Sequence, residues 1–183
     1  MANFTDNPKL SDRFASAVQF VFNAHFLQVR KQNAIPYISH LMTVASLVLE
    51  ANGSEDEAIA ALCHDVLEDT KVPPELLIKL FGHQVYEMVL ALSENKNVPK
   101  EKRKQAYVQE ISRTDFPFFQ SVRLISAADK LHNLRDYATT GRSLWKPEHA
   151  AFYAQLMPIY ELEQRILQHW INEMKSLLKM LEN

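Results

Sequence analysis

Residues 57–70, "EAIAALCHDVLEDT", decide how the rest of the chain is read. Ile59, Ala60, Leu62, Val66 and Leu67 are apolar at positions that run almost all round a helix, which marks a central, buried segment. Yet the same stretch carries Cys63, His64, Asp65, Glu68 and Asp69. On one continuous helix with His64 at zero degrees, Asp65 falls at about 100, Glu68 near 40 and Asp69 near 140 degrees, so all four share a face. Cys63 falls at about 260 degrees and is expected to act as a small core hydrophobe. Three unpaired carboxylates on a buried face are costly, and each needs a partner or a proton. A divalent cation answers that demand most simply, because it offsets charge and keeps its ligands deprotonated.

The flanking sequence supplies a helical setting. Ser54 and Glu57 form a capping box ahead of this segment, and Gly53 is a stop for the apolar pattern "SHLMTVASLVLEA" before it. In "SDRFASAVQFVFNAHFLQVR", Phe14, Val18, Val21, Phe22 and Phe26 recur at spacings of three and four, so they are expected on one inward face. Pro74, Pro99 and Pro147 each open a helical pattern, where a missing N–H costs little. The tail is expected to kink or break at Pro158. Leu167, Ile171, Met174, Leu177, Leu178 and Leu181 lie along one side of its end and are expected to pack inward, with pairing to a second copy as the alternative. Only three glycines occur, and hairpin signals are nearly absent. The expectation is an all-α, single-domain bundle of about eight to ten helices, with a core over residues 10–140 and C-terminal helices over 147–181.

Composition bounds the function. The chain has 183 residues, 47% of them hydrophobic, with 20 basic against 22 acidic side chains and a net charge of -2. That fits a globular domain without the bulk basic charge of a nucleic-acid binder. There is no apolar run of membrane-spanning length, no leader pattern in "MANFTDNPKL", and a single cysteine, all of which suit a cytoplasmic protein. Attraction for phosphate must therefore be local. The polar stretch "ENKNVPKEKRK" is expected to be a solvated loop opening a helix, from which one or two lysines reach a bound anion.

Two further segments complete the ligand set. His40 opens the apolar pattern in "PYISHLMTVA", and Asp129 sits in "ISAADKLHNLRD". Two imidazoles and two carboxylates from three helices make a mixed nitrogen/oxygen site, suited to manganese, iron or zinc. Glu68 and Asp69, one turn beyond, would orient a water and take up its proton. Tyr37 is expected to pack near His40 as a core residue, and His132 to line the pocket beside Asn133. His25, His83, His149 and His169 carry no constellation.

Five blocks, "VRKQNAIPYISHLMTVA", "EAIAALCHDVLEDT", "LFGHQVYEMVLALSENK", "KRKQAYV" and "ADKLHNLRDYATTGR", together resemble the histidine-aspartate (HD) hydrolase domain of the RelA/SpoT alarmone enzymes, particularly their small stand-alone forms. The resemblance runs in family order across nearly the whole chain. It implies a helical fold and one bound divalent ion, typically manganese. It also implies hydrolysis of the 3′-pyrophosphate of guanosine tetra- or pentaphosphate, releasing pyrophosphate and GDP or GTP. His40, His64, Asp65 and Asp129 match the metal ligands, and Glu68 with Asp69 the paired acids that support the attacking water. Arg30 and Lys31 match the basic pair that lines the nucleotide site, and Asn133 a residue near the ribose and phosphate. Lys130 and Arg135 share that block; Arg142, in the loop that follows, is expected either to close over a substrate phosphate or to lie on the surface. The chain departs from the pattern where "QNAIP" lacks a glycine, at Ser126 where a lysine is common, and at Ser93 and Asn95, positions that bear on base choice. Its length leaves no room for a synthetase domain, so a hydrolase alone is expected. Rival readings are an HD phosphohydrolase acting on an adenine alarmone, the phosphate of NADPH or a nucleoside monophosphate, and a nucleotide-sensing module without turnover.

Overall fold

Ser54 accepts the Glu57 backbone N–H on its Oγ, and the Glu57 carboxylate accepts the Ser54 N–H at 2.7 Å, so the predicted capping box starts a helix. The computed structural model describes residues 10–31 and 33–182; "MANFTDNPK", read for a leader, lies outside the described residues. Among these are ten helices: α1 (Asp12–Ala24), α2 (Ile38–Glu50), α3 (Glu55–Cys63), α4 (Val66–Asp69), α5 (Pro74–Phe81), α6 (His83–Leu92), α7 (Arg103–Ser112), α8 (Phe119–Thr139), α9 (Pro147–Leu162) and α10 (Gln168–Glu182). The only extended pairing among the described residues is one antiparallel bridge, Val29 to Pro36, which closes the loop between α1 and α2. None of the described helices is long and apolar enough to cross a membrane.

α3 is the axis of the fold. Ala58, Ile59, Ala60, Ala61, Leu62 and Cys63 are fully buried, and α1, α2, α6 and α8 pack around them. The run of alanines lets these neighbours approach closely. Ile59 and Leu62 each contribute about 1.5–3 kcal/mol by burial. α8 crosses behind and also meets α2, α6 and α10. The α2–α3 corner depends on two residues. Asn52 takes the left-handed backbone at φ 61°, and a Cβ on Gly53 would stand 2.7 Å from the Val48 carbonyl oxygen. Burial raises the pKa of the Cys63 thiol, as expected of a core hydrophobe.

Three expectations are corrected. The helix through the opening motif is not continuous: α3 stops at Cys63, His64 and Asp65 form a turn, and α4 is a single turn. Phe22 and Phe26 do not join the inward face of α1, being 42% and 66% exposed in edge contact with each other. α1 ends at Ala24, so Phe26 leaves the helical register. Of the kink or break expected at Pro158, the break is ruled out there, since α9 runs through Pro158 to Leu162. Both Pro158 and Ala154 are exposed, so the Ala154 carbonyl that loses its N–H partner is left to water. On α10, Ile171, Met174 and Leu181 are buried and Leu177 and Leu178 pack on the core, as does Leu167 just before it, which is the inward packing expected.

Candidate metal and phosphate site

The end of α3 builds the site. A helix leaves its last carbonyls without N–H partners. His64, the first residue past α3, uses one: its Nδ1 lies 2.7 Å from the Ala61 carbonyl oxygen. That contact puts a proton on Nδ1 and turns Nε2 inward. His64 Nε2 is buried and makes no hydrogen bond. It stands 3.1 Å from Asp65 Oδ2 and 3.8 Å from Asp129 Oδ1. Asp65 sits at φ −97°, ψ −2°, a sparsely populated backbone region common in active sites. His40, in the first turn of α2, brings Nε2 to 3.2 Å from Asp129 Oδ1 and 3.7 Å from Asp65 Oδ2. Ligand atoms of His40, His64 and Asp65 all lie within 4.8 Å of one another, and Asp129 adds its oxygen from the middle of α8. The four residues thus meet from α2, the α3–α4 turn and α8.

The electrostatics ask for a cation. Burial disfavours a charged His64, yet Asp65 and Asp129 outweigh it and lift its pKa to about 9. Burial likewise opposes charge on Asp65, but the His64 and His40 imidazoles hold its carboxyl well below the usual range. Asp129 is also depressed, chiefly by Lys130, whose Nζ donates to Asp129 Oδ2 at 2.5 Å. A buried, unbonded ring nitrogen facing two ionised carboxylates fits a divalent ion of intermediate hardness.

Two supports do more than the sequence reading gave them. Tyr37, expected as core packing, donates its hydroxyl to Asp65 Oδ2 at 2.6 Å. It also stacks on His25 and meets His40 edge-on. His132 places Nδ1 2.7 Å from His40 Nδ1, so one ring donates to the other. Burial, then His40, lowers the His132 pKa to about 4, which leaves it neutral and able to accept. "PYISH" held the signal for Tyr37, since a residue three before His40 lies on the same side of a helical turn. Nothing comparable marks His132.

The remaining expected residues divide. A cavity of about 110 Å³ beside the cluster is lined by His64, Asp65, Glu68, Asp129 and Lys130, among others. Glu68 accepts the Glu94 backbone N–H, while Lys96 Nζ donates to the Glu68 carbonyl at 2.5 Å. Burial dominates its environment and raises its pKa to about 7. Asp69 is exposed and turns to Gln28, whose Nε2 donates to Oδ2 at 2.7 Å, so α4 sends the two acids apart. Asn133 donates to Asp129 Oδ1 at 2.5 Å and accepts from Arg30 Nη2 at 2.6 Å. Arg30 is buried and pairs with Asp136 at 2.7 Å; Lys31 beside it is exposed. Arg30 is thereby tied to α8. The structure does not bring Arg135 or Arg142 to the cluster. Arg135 forks onto Glu173 at 2.7 and 2.8 Å, and Arg142 donates to the Met180 carbonyl at 3.0 Å, so both hold α10.

Comparison with known proteins agrees with this geometry. An HD-domain family model matches residues 17–161. The guanosine-3′,5′-bis(diphosphate) 3′-pyrophosphohydrolase MESH1 of Drosophila melanogaster is 32% identical over 141 residues, 75% of this chain and 76% of that protein. The guanosine-3′,5′-bis(diphosphate) 3′-pyrophosphohydrolase of Haemophilus influenzae is 32% identical over 159 residues, 85% of this chain but 23% of that longer protein. A solved structure described as a metazoan ortholog of SpoT that hydrolyzes ppGpp superimposes with a TM-score of 0.80 at 26% identity, over 96% of this chain and 97% of its own. By the match over most of its length and by the helices that gather its paired His64 and Asp65, the chain belongs to the HD-domain family.

Proposed function

We propose that this protein is a metal-dependent hydrolase that removes the 3′-pyrophosphate of guanosine tetra- or pentaphosphate, yielding pyrophosphate and GDP or GTP. One observation carries the reading: a cation-seeking group of two imidazoles and two carboxylates shares a cavity with a carboxyl, Glu68, whose pKa stands at about 7. Relatives on both the sequence and the structure side bear the name of that activity. His40, His64, Asp65 and Asp129 would hold the ion, and the mixed donor set suits manganese. Bound there, it would supply Lewis acidity and a water of lowered pKa.

The chain's own residues do the rest. Glu68 accepts the proton of the attacking water, for which a pKa near the working pH is the favourable value. The water oxygen bonds to the phosphorus, the bond from phosphorus to the ribose 3′ oxygen breaks, and the proton passes to that oxygen. Tyr37 and His132 keep Asp65 and His40 aimed at the centre. Arg30, Lys31 and Asn133 would hold the nucleotide, and Lys130 would offset charge at the phosphate. Asp69 braces the loop before α2 through Gln28. The reaction belongs in the cytoplasm, where a buried Cys63 stays a thiol.

The test is manganese-supported turnover of guanosine and adenosine 3′-pyrophosphates side by side, with products resolved. Pyrophosphate released from the guanosine substrate supports the assignment. Turnover of only the adenosine compound, release of orthophosphate alone, or no turnover rejects it.

A further inference from the structure

The cavity beside the metal-seeking group is lined by basic as well as acidic side chains. Lys104 from α7 and Lys130 from α8 both line it, with Phe152 of α9 beneath them. Their ammonium groups stand 5.5 and 5.8 Å from the Phe152 ring centre. The two lysines are balanced differently. Lys130 is matched by Asp129 at 2.5 Å. Among the described residues, Lys104 forms no ion pair and rests on the ring instead. Burial lowers its pKa; Glu148 and Glu94 oppose that shift, while Lys130 and Lys146 add to it.

The placement of Lys104 is unfavourable for the fold. Arg103 and Lys104 occupy the first turn of α7, which holds no acid, so their charge opposes the helix dipole. A like-charged lysine is close enough to disfavour its charge as well. A residue set against the helix end, against its neighbour and against burial contributes little to stability, and all three costs fall when an anion enters the cavity.

We propose that Lys104, with Lys130 beside it, seats the terminal phosphate of the pyrophosphoryl group and so positions that group against the metal centre. The inference rests on the hydrolysis proposed above and names which part of the substrate this wall holds. A nucleoside 3′-monophosphate, whose one phosphate is tethered at the metal centre, would leave the seat empty, whereas free phosphate can enter it, so Lys104 would also favour a 3′-pyrophosphate over a 3′-monophosphate.

The experiment compares wild type, Lys104→Met and Lys104→Arg, each loaded with manganese. Binding of inorganic phosphate is followed by calorimetry, and hydrolysis of guanosine tetraphosphate is split into kcat and KM. Lys104→Met is expected to weaken phosphate binding and raise KM by about tenfold, the loss of one charge-assisted contact. Its manganese affinity and melting temperature should stay those of wild type. Lys104→Arg, which keeps the charge, should restore both values to within about threefold. Equal phosphate affinity in wild type and Lys104→Met, or no phosphate binding by wild type, overturns the seat. If wild type binds phosphate through Lys104 but leaves guanosine tetraphosphate intact, the seat stands and the substrate assignment fails.

Discussion

An acid largely withdrawn from water stands at each end of α3, and the two ends treat theirs in opposite ways. At the N-terminus, Glu57 accepts the Ser54 N–H and both terminal nitrogens of Arg165. Burial resists its charge, but these partners prevail and lower its pKa to about 2. At the C-terminus, Asp65 and Asp129 face two imidazoles with inward Nε2 atoms, and Lys130 matches only Asp129. The first cluster is complete within the chain; the second is complete only with an added cation. A closed ion pair holds the fold together, whereas an open one stores binding energy for a ligand.

The largest expected effect comes from opening the second cluster further. Asp65→Ala should abolish manganese retention and turnover together while the helical circular dichroism persists; turnover without metal loss would break the contrast. Glu68→Gln should keep the ion, measured by elemental analysis, and lose about a hundredfold in turnover, as for a missing general base. Because burial holds the Glu68 pKa at about 7, its ionised form gains with rising pH, so wild-type kcat/KM should climb through that value. An identical acid limb in Glu68→Gln would assign the titration elsewhere. Tyr37→Phe removes one hydroxyl from Asp65 and should weaken manganese about tenfold in a binding titration, with the melting curve of the metal-free protein little changed.

At the other end, the least effect on activity is expected. Glu57→Gln should lower stability by about 2 kcal/mol, a figure reduced for the solvent exposure of Arg165, and leave turnover per folded molecule unchanged. The folded pKa of Glu57 lies below its unfolded value, so its contribution is present above about pH 4.5 and fades as pH falls toward 2. Wild type should lose that increment in acid and Glu57→Gln should not; parallel pH profiles of unfolding would show that the ion pair contributes nothing.

Local chemistry was enough for much of this. The helical class, the Ser54 cap and Pro74 and Pro147 at helix starts follow from residue type and spacing, because caps and apolar periodicity act within a few residues; the grouping of His40, His64, Asp65 and Asp129 was expected from their donor types and the family resemblance. What neighbouring elements decide was beyond reach. Residues 61–69 are compatible with an unbroken helix, and the turn at His64 and Asp65 exists because an orphaned Ala61 carbonyl and two other helices reward it. Asp69 turns to Gln28, Arg135 and Arg142 to α10, and Tyr37 to Asp65, each toward a partner distant in the chain. Sequence alone set which groups were available; tertiary structure decided which of them share the cavity, because the direction of a long polar side chain depends on partners that only the packed chain brings near.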